Sequence, residues 1–245
     1  MIFRIPVLKS GNRALPADIG ARPACEDKPG EYFESVQSDP EGKTGFVGVD
    51  FHVSTHTLFE VESLQVQSAV ATRRQEFATG RWCARRAMRI LGHEPGPIPV
   101  GEGRSPLWPV GVHGSISHTH GFTCALVTDG TARVGLDVER LDREITRPTW
   151  DLILSARETR RFHTESEKLM VFSAKETFFK AVYPLVRRMV DFHEIEIEYG
   201  NRPKEFAVRL GPFLSLTVDA DRVLPIACEI REPFVFTWTF IKQPR

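Results

Sequence analysis

Charge of one sign is what this chain most clearly lacks: 32 Lys and Arg stand against 32 Asp and Glu in 245 residues. A protein that tracks nucleic acid carries a basic field, so nucleic-acid binding is not expected. Cysteine is scarce as well. Cys25, Cys83, Cys124 and Cys228 lie far apart with no C-x-x-C pair, which excludes a dense disulfide framework and the usual zinc spacings. The histidines add no ligand spacing. No apolar run approaches the roughly 20 residues that span a bilayer, and the opening MIFRIPVLKSGNR has no long apolar segment. The expectation is a cytoplasmic protein with no membrane association. Its 41% hydrophobic and 26% charged residues are ordinary for a globular fold.

What remains is an alternation of strand and helix patterns. The first 45 residues are rich in Gly, Pro, Asp and Glu and read as a loop-rich entry with short ordered pieces. Residues 46–53 alternate like a strand, and residues 66–91 have helical spacing, with Phe77, Arg81, Ala84, Met88 and Leu91 recurring at three and four. Residues 93–114 read as an irregular loop. Strands are expected at 122–128 and 133–139 with a turn at 128–130. A second helix is expected over about 155–183. Segments 205–210, 213–218, 224–230 and 233–241 then read as an antiparallel set. The fold class is therefore α+β, with halves 1–128 and 129–245, although no repeat is visible in the letters.

Four clusters carry chemistry. In Gly135-Leu136-Asp137-Val138-Glu139, alternation sends Asp137 and Glu139 to one face, with Cβ atoms about 6–7 Å apart. Two such carboxylates can share one hard divalent cation, or can simply be a solvated strand face. In the helical FSAKETFFKA (172–181), Glu176 falls on the apolar stripe of Leu169, Phe172, Phe179 and Val182. An inward carboxylate needs a partner or a metal. The alternative is an ordinary i, i+4 pair with Lys180. Arg73, Arg74, Arg81, Arg85 and Arg86 crowd the first helix, where Arg74, Arg81 and Arg85 share a face and Arg73 lies at its edge. Forked guanidinium donors suit phosphate, and Arg104 could join from the loop GEGRSPLWP. In Gly114-Ser115-Ile116-Ser117-His118, small residues let backbone approach a ligand while Ser117 and His118 offer donors.

These pieces, in this order, resemble the 4′-phosphopantetheinyl transferase superfamily of the surfactin/enterobactin-synthase type, nearest to the enterobactin synthase component D group. RRQEFATGRWCARRAMRILG (73–92), PLWPVGVHGSISHT (106–119), VGLDVE (134–139) and FSAKETFFKA (172–181) carry the resemblance. Phe172 stands where relatives commonly have Trp. The resemblance implies a 4′-phosphopantetheinyl transferase fold of two similar halves related by pseudo-twofold symmetry. The arginine helix and the GSISH loop would lie in the first half, and the magnesium and catalytic motifs in the second.

It also implies magnesium held by Asp137, Glu139 and Glu176, with Glu176 as general base. Lys175 would touch the diphosphate of coenzyme A, and Lys180 would stabilise the leaving 3′,5′-ADP. Arg73, Arg81, Arg104, Ser117 and His118 would hold the coenzyme's 3′-phosphate and its neighbourhood. The implied reaction moves phosphopantetheine to a serine of acyl, peptidyl or aryl carrier proteins, by an enzyme expected to be a monomer. Arg187 and Arg188 are candidates for the carrier-facing rim. A metal-dependent phosphohydrolase of a similar nucleotide would use the same carboxylates, and a non-catalytic coenzyme A-binding module would use the same anion contacts.

Overall fold

In the computed structural model, residues 31–39, 42–215 and 224–242 are described, and the chain falls into two units, Met1–Thr131 and Ala132–Arg245. In the first unit, β1 (Tyr32–Asp39), β2 (Gly42–Val49), β3 (His113–Thr119) and β4 (Phe122–Thr128) form an antiparallel sheet in the order β1-β2-β4-β3. Helix α2 (Ala71–Ile90) packs on it through Cys83, Ala84, Ala87 and Met88 against Val47, Val49, Ala125 and Val127. The short α1 (Glu60–Val66) precedes it.

Three sequence expectations need correction here. The chain at 32–39 is a strand, paired along its whole length with β2 and tied to α2 where Arg86 Nε donates to the Tyr32 hydroxyl at 2.9 Å. The helix expected from residue 66 is interrupted before Ala71. Glu62 is fully buried and takes two hydrogen bonds from Arg85, at 2.8 and 2.9 Å. An i, i+3/i+4 pattern does not foresee a helix folded back by a tertiary ion pair. The third correction concerns GSISH, which belongs to edge strand β3 rather than to a loop.

In the second unit, β5 (Arg133–Arg140), β6 (Ile195–Tyr199), β7 (Glu205–Leu210), β8 (Leu224–Arg231) and β9 (Phe234–Ile241) form a second antiparallel sheet, ordered β5-β9-β8-β7-β6. The single helix expected over 155–183 is two, α4 (Ala156–Arg161) and α5 (Glu165–Val186), preceded by α3 (Arg147–Ile153). Two reciprocal caps set the starts: Ser155 with Glu158, and Thr164 with Glu167. Strand β6, whose Ile195 and Ile197 point inward while Glu196 is half-exposed, escaped the sequence reading. Where a strand was expected at 213–218, residues Pro212–Ser215 form the short helix α6; the remainder of that segment lies outside the described residues.

Each long helix meets its sheet at a glycine. A Cβ on Gly80 of α2 would stand 2.8 Å from Ile116 Cγ2 of β3, and a Cβ on Gly135 of β5 would stand 2.0 Å from the Thr177 carbonyl oxygen of α5. A backbone carbonyl cannot swing aside as a side chain can. Gly135→Ala should therefore destabilise the chain by about 1–3 kcal/mol or more, read as a lowered urea midpoint. Gly96→Ala, where a Cβ meets nothing within 4 Å, should change stability by less than about 0.5 kcal/mol.

Candidate active site

The close approach at Gly135 lays one polar stripe of α5 against β5 and β9. Ser173, Glu176, Thr177 and Lys180 are spaced i, i+3, i+4 and i+7 and so share a face. Ser173 Oγ donates to Asp137 Oδ2 at 2.8 Å, and Lys180 Nζ reaches Asp137 Oδ1 at 2.6 Å and the Leu136 carbonyl at 3.2 Å. The Thr177 hydroxyl lies 2.7 Å from that of Thr237 and donates to the Thr237 carbonyl at 3.0 Å; the Thr237 hydroxyl is also 2.8 Å from Ser173 Oγ. The i, i+4 partnership of Glu176 with Lys180 is thus not the one formed, because Lys180 turns to the strand. Sequence reasoning missed Ser173, Thr177 and Thr237. The i, i+3, i+4, i+7 polar spacing on an otherwise apolar helix was the signal for the first two.

Glu139 lies two residues along the same strand. Its Oε1 accepts from Arg143 Nη1 at 2.7 Å, while its Oε2 is buried without a partner among the described residues. Arg143 also lies over the Phe172 ring, 5.5 Å from its centroid. Phe172 therefore touches the site's electrostatics as well as its packing. Burial pushes the Glu139 carboxyl above its usual range, the Asp137 charge adds to this, and Arg143 and Lys180 oppose it. Glu176 is half-buried and is raised in the same way, first by burial; Lys180 and Arg143 pull against that and Asp137 adds to it. The side chain of Glu176 makes no hydrogen bond among the described residues.

As these side chains lie, no group of three or more His, Cys, Asp or Glu residues forms a ready metal cage among the described residues. Magnesium seldom uses an all-protein cage. It binds through one or two carboxylates, keeps several waters and takes substrate phosphates. The donor set fits such an ion: a buried carboxylate oxygen on Glu139 without a partner among the described residues, Glu176 without a hydrogen bond among them, and Asp137, whose charge acts on both.

Lys175 has a different place from the one expected. Its side chain is completely buried, and Nζ is 2.7 Å from Glu158 Oε2, 2.7 Å from the Phe192 carbonyl, 2.9 Å from the Ile153 carbonyl and 3.4 Å from the Ile195 carbonyl. Burial lowers its pKa, and Glu158 pushes it back up. This ammonium is not presented to a diphosphate.

In the first unit, Arg73 and His118 come together: Arg73 Nη1 lies 2.9 Å from His118 Nε2, and Glu76 is 3.4 Å from the same guanidinium nitrogen. Arg74, which shares the Arg81 face in a helical projection, instead reaches the Gln67 carbonyl at 3.3 Å. Arg81 is buried, stacks over Phe77 and donates from Nε to the Ile98 carbonyl at 2.6 Å. Burial lowers its pKa to about 10. Arg85 is spent on Glu62. Ser117 is only 4% exposed and alternates to the opposite sheet face from His118, so the two side chains do not address one ligand from the same face. Arg104 is exposed in the turn Glu102–Arg104, with a positive φ of 63°. Arg188 is held by Glu194 in a forked pair at 2.6 and 2.7 Å.

Comparison with known proteins follows the same division. Residues 61–128 match the 4′-phosphopantetheinyl transferase N-terminal domain, and residues 133–227 match the 4′-phosphopantetheinyl transferase superfamily. The 4′-phosphopantetheinyl transferase Svp of Streptomyces mobaraensis is 38% identical over 62% of this chain and 65% of its own length. The 4′-phosphopantetheinyl transferase PptT of Mycobacterium tuberculosis is 36% identical over 56% of this chain and 63% of its own. Enterobactin synthase component D of Escherichia coli K12 is 35% identical over 48% and 58%. The matches span less than two thirds of these relatives' own length. The chain belongs to the 4′-phosphopantetheinyl transferase superfamily, and its fold is the α+β fold of that family.

The raised carboxyls have a consequence for stability. Above the ordinary carboxylate range the folded chain holds protons on Glu139 and Glu176 that the unfolded chain has released, so their contribution to stability is present at low pH and lost as pH rises through the raised values. Glu176→Gln removes one such group. In a chelating buffer its urea midpoint should exceed that of the wild type at neutral pH, and the gap should close toward pH ~4, where an ordinary carboxyl is protonated.

Proposed function

We propose that the chain transfers the 4′-phosphopantetheine arm of coenzyme A to a serine hydroxyl of an apo carrier protein and releases 3′,5′-ADP. The observation that carries this reading is the polar stripe of α5 laid on the acidic edge strand, which gathers Asp137, Glu139, Glu176 and Lys180 in one neighbourhood. The relatives named as 4′-phosphopantetheinyl transferases support the same chemistry.

Asp137, Glu139 and Glu176 would hold magnesium, which supplies positive charge to phosphoryl oxygens when bound. Glu176 accepts the proton of the attacking serine; burial raises its carboxyl above the ordinary range, and a carboxyl so raised is a better base than an ordinary one. The serine oxygen forms a bond to the phosphorus on the pantetheine side of the diphosphate. The bond from that phosphorus to the bridging oxygen breaks, and the electron pair leaves with 3′,5′-ADP. Lys180 offsets charge growing on the departing oxygens. Arg73 and His118 grip the 3′-phosphate, with Arg104 supplementary, Arg81 bracing the helix through the Ile98 carbonyl and Ser117 contributing backbone shape. Carrier proteins of the acyl, peptidyl or aryl kind are the partners, with Arg187 and Arg188 on the receiving rim. The proposed working form is a cytoplasmic monomer that needs neither nucleic acid nor membrane.

Mass spectrometry of an apo carrier protein incubated with the chain, coenzyme A and magnesium tests this. The expected result is the gain of one phosphopantetheine arm, abolished by chelator. Glu176→Gln should slow it by about 10²–10⁴-fold, the usual worth of a general base. Consumption of coenzyme A with no mass gain would mark a phosphohydrolase. Binding with neither outcome would mark a coenzyme-binding module.

A further inference from the structure

We propose that Lys175 is a positioning residue, which acts through Glu176 by fixing the rotation of α5, and does not contact the diphosphate. The proposal rests on the transferase reading above and deepens it. An ammonium has three donors, and Lys175 Nζ has four oxygens around it: Glu158 Oε2, and the carbonyls of Ile153, Phe192 and Ile195. Its partner Glu158 is equally committed. Glu158 Oε1 accepts from the Ile197 backbone at 2.7 Å, and Oε2 accepts from the Ser155 backbone at 2.8 Å as well as from Lys175. The side chains are 0% and 1% exposed.

These bonds join the end of α3, the start of α4, the turn at Phe192–Glu194 and strand β6 to one point on α5. The next residue on the helix, Glu176, is turned about 100° away, toward β5. On that side Ser173, Thr177 and Lys180 fasten α5 to Asp137 and Thr237. Glu176 is therefore held between two sets of fixed bonds. For Lys175 to reach a phosphate it would have to abandon its acceptors and leave Glu158 charged, buried and unpaired, which is strongly unfavourable. The adjacent lysine and glutamate, so similar in sequence terms, have divided the work: one locks the helix and the other faces the reactants.

The test uses the whole chain with coenzyme A, magnesium and an apo carrier protein, and compares Lys175→Met, Glu158→Gln and the doubly substituted variant. Positioning predicts that each single change lowers kcat by about 10–100-fold, the usual cost of losing a group that orients a metal ligand. The Kd for coenzyme A should stay within about threefold of wild type, and the double variant should be no worse than the singles, because both break the same pair. The proposal is overturned if Lys175→Met weakens coenzyme A binding more than about tenfold while Glu158→Gln leaves kcat and Kd unchanged. If the singles do not fold, Lys175→Met/Glu158→Leu removes both buried charges together and is read by the same split. If the wild type transfers nothing, the transferase reading falls and magnesium affinity by titration calorimetry decides this proposal alone: a loss of about tenfold or more in Glu158→Gln supports it, and unchanged affinity overturns it.

Discussion

The site depends on the distance between a helix and a strand. At Gly135 the missing side chain lets the Thr177 carbonyl come to within 2.0 Å of where a Cβ would be. Everything polar between α5 and β5 follows from that approach. A helix held one side-chain layer further out could not place the Ser173 hydroxyl or the Lys180 ammonium on Asp137. Close packing is normally an argument about apolar fit; here it delivers hydrogen-bond reach to a carboxylate cluster.

Much of this was legible in the sequence. The D-x-E strand, the helix bearing Glu176 and Lys180, and the strands of the second sheet at 205–210, 224–230 and 233–241 all follow from period-2 and period-3.6 patterns. What was not legible is which charged residues are structural. Arg85 and Lys175 look like candidate phosphate ligands because they sit in charged motifs on the two long helices. In the folded chain each has a buried carboxylate from a distant segment, Glu62 in one case and Glu158 in the other. A pair separated by 17 or 23 residues leaves no trace in local spacing. The breaks that split each expected helix have the same origin or lie in caps: Glu62 folds α1 back, and Ser155–Glu158 and Thr164–Glu167 define two starts where one run was expected.

The first unit gives the complementary lesson. A helical projection groups Arg74 with Arg81 and Arg85, yet it is Arg73 that meets His118. The deciding element is β3, which a Gly- and Ser-rich composition disguised as a loop. Once GSISH is extended, His118 and Ser117 must face opposite ways, and only His118 turns toward α2 and Arg73. Which arginine meets His118 is therefore a property of sheet register, which no single helix can reveal.

The carboxylates of the second unit already have cations of their own: Lys180 on Asp137 and Arg143 on Glu139. Small metal domains whose ligands repel one another cannot fold until the ion arrives, and chelators unfold them. This chain carries its neutralising charges covalently, on the same fold. Its folding is thereby freed from ion supply, and the magnesium of the proposed reaction would enter as an exchange of one counter-charge for another within a finished structure.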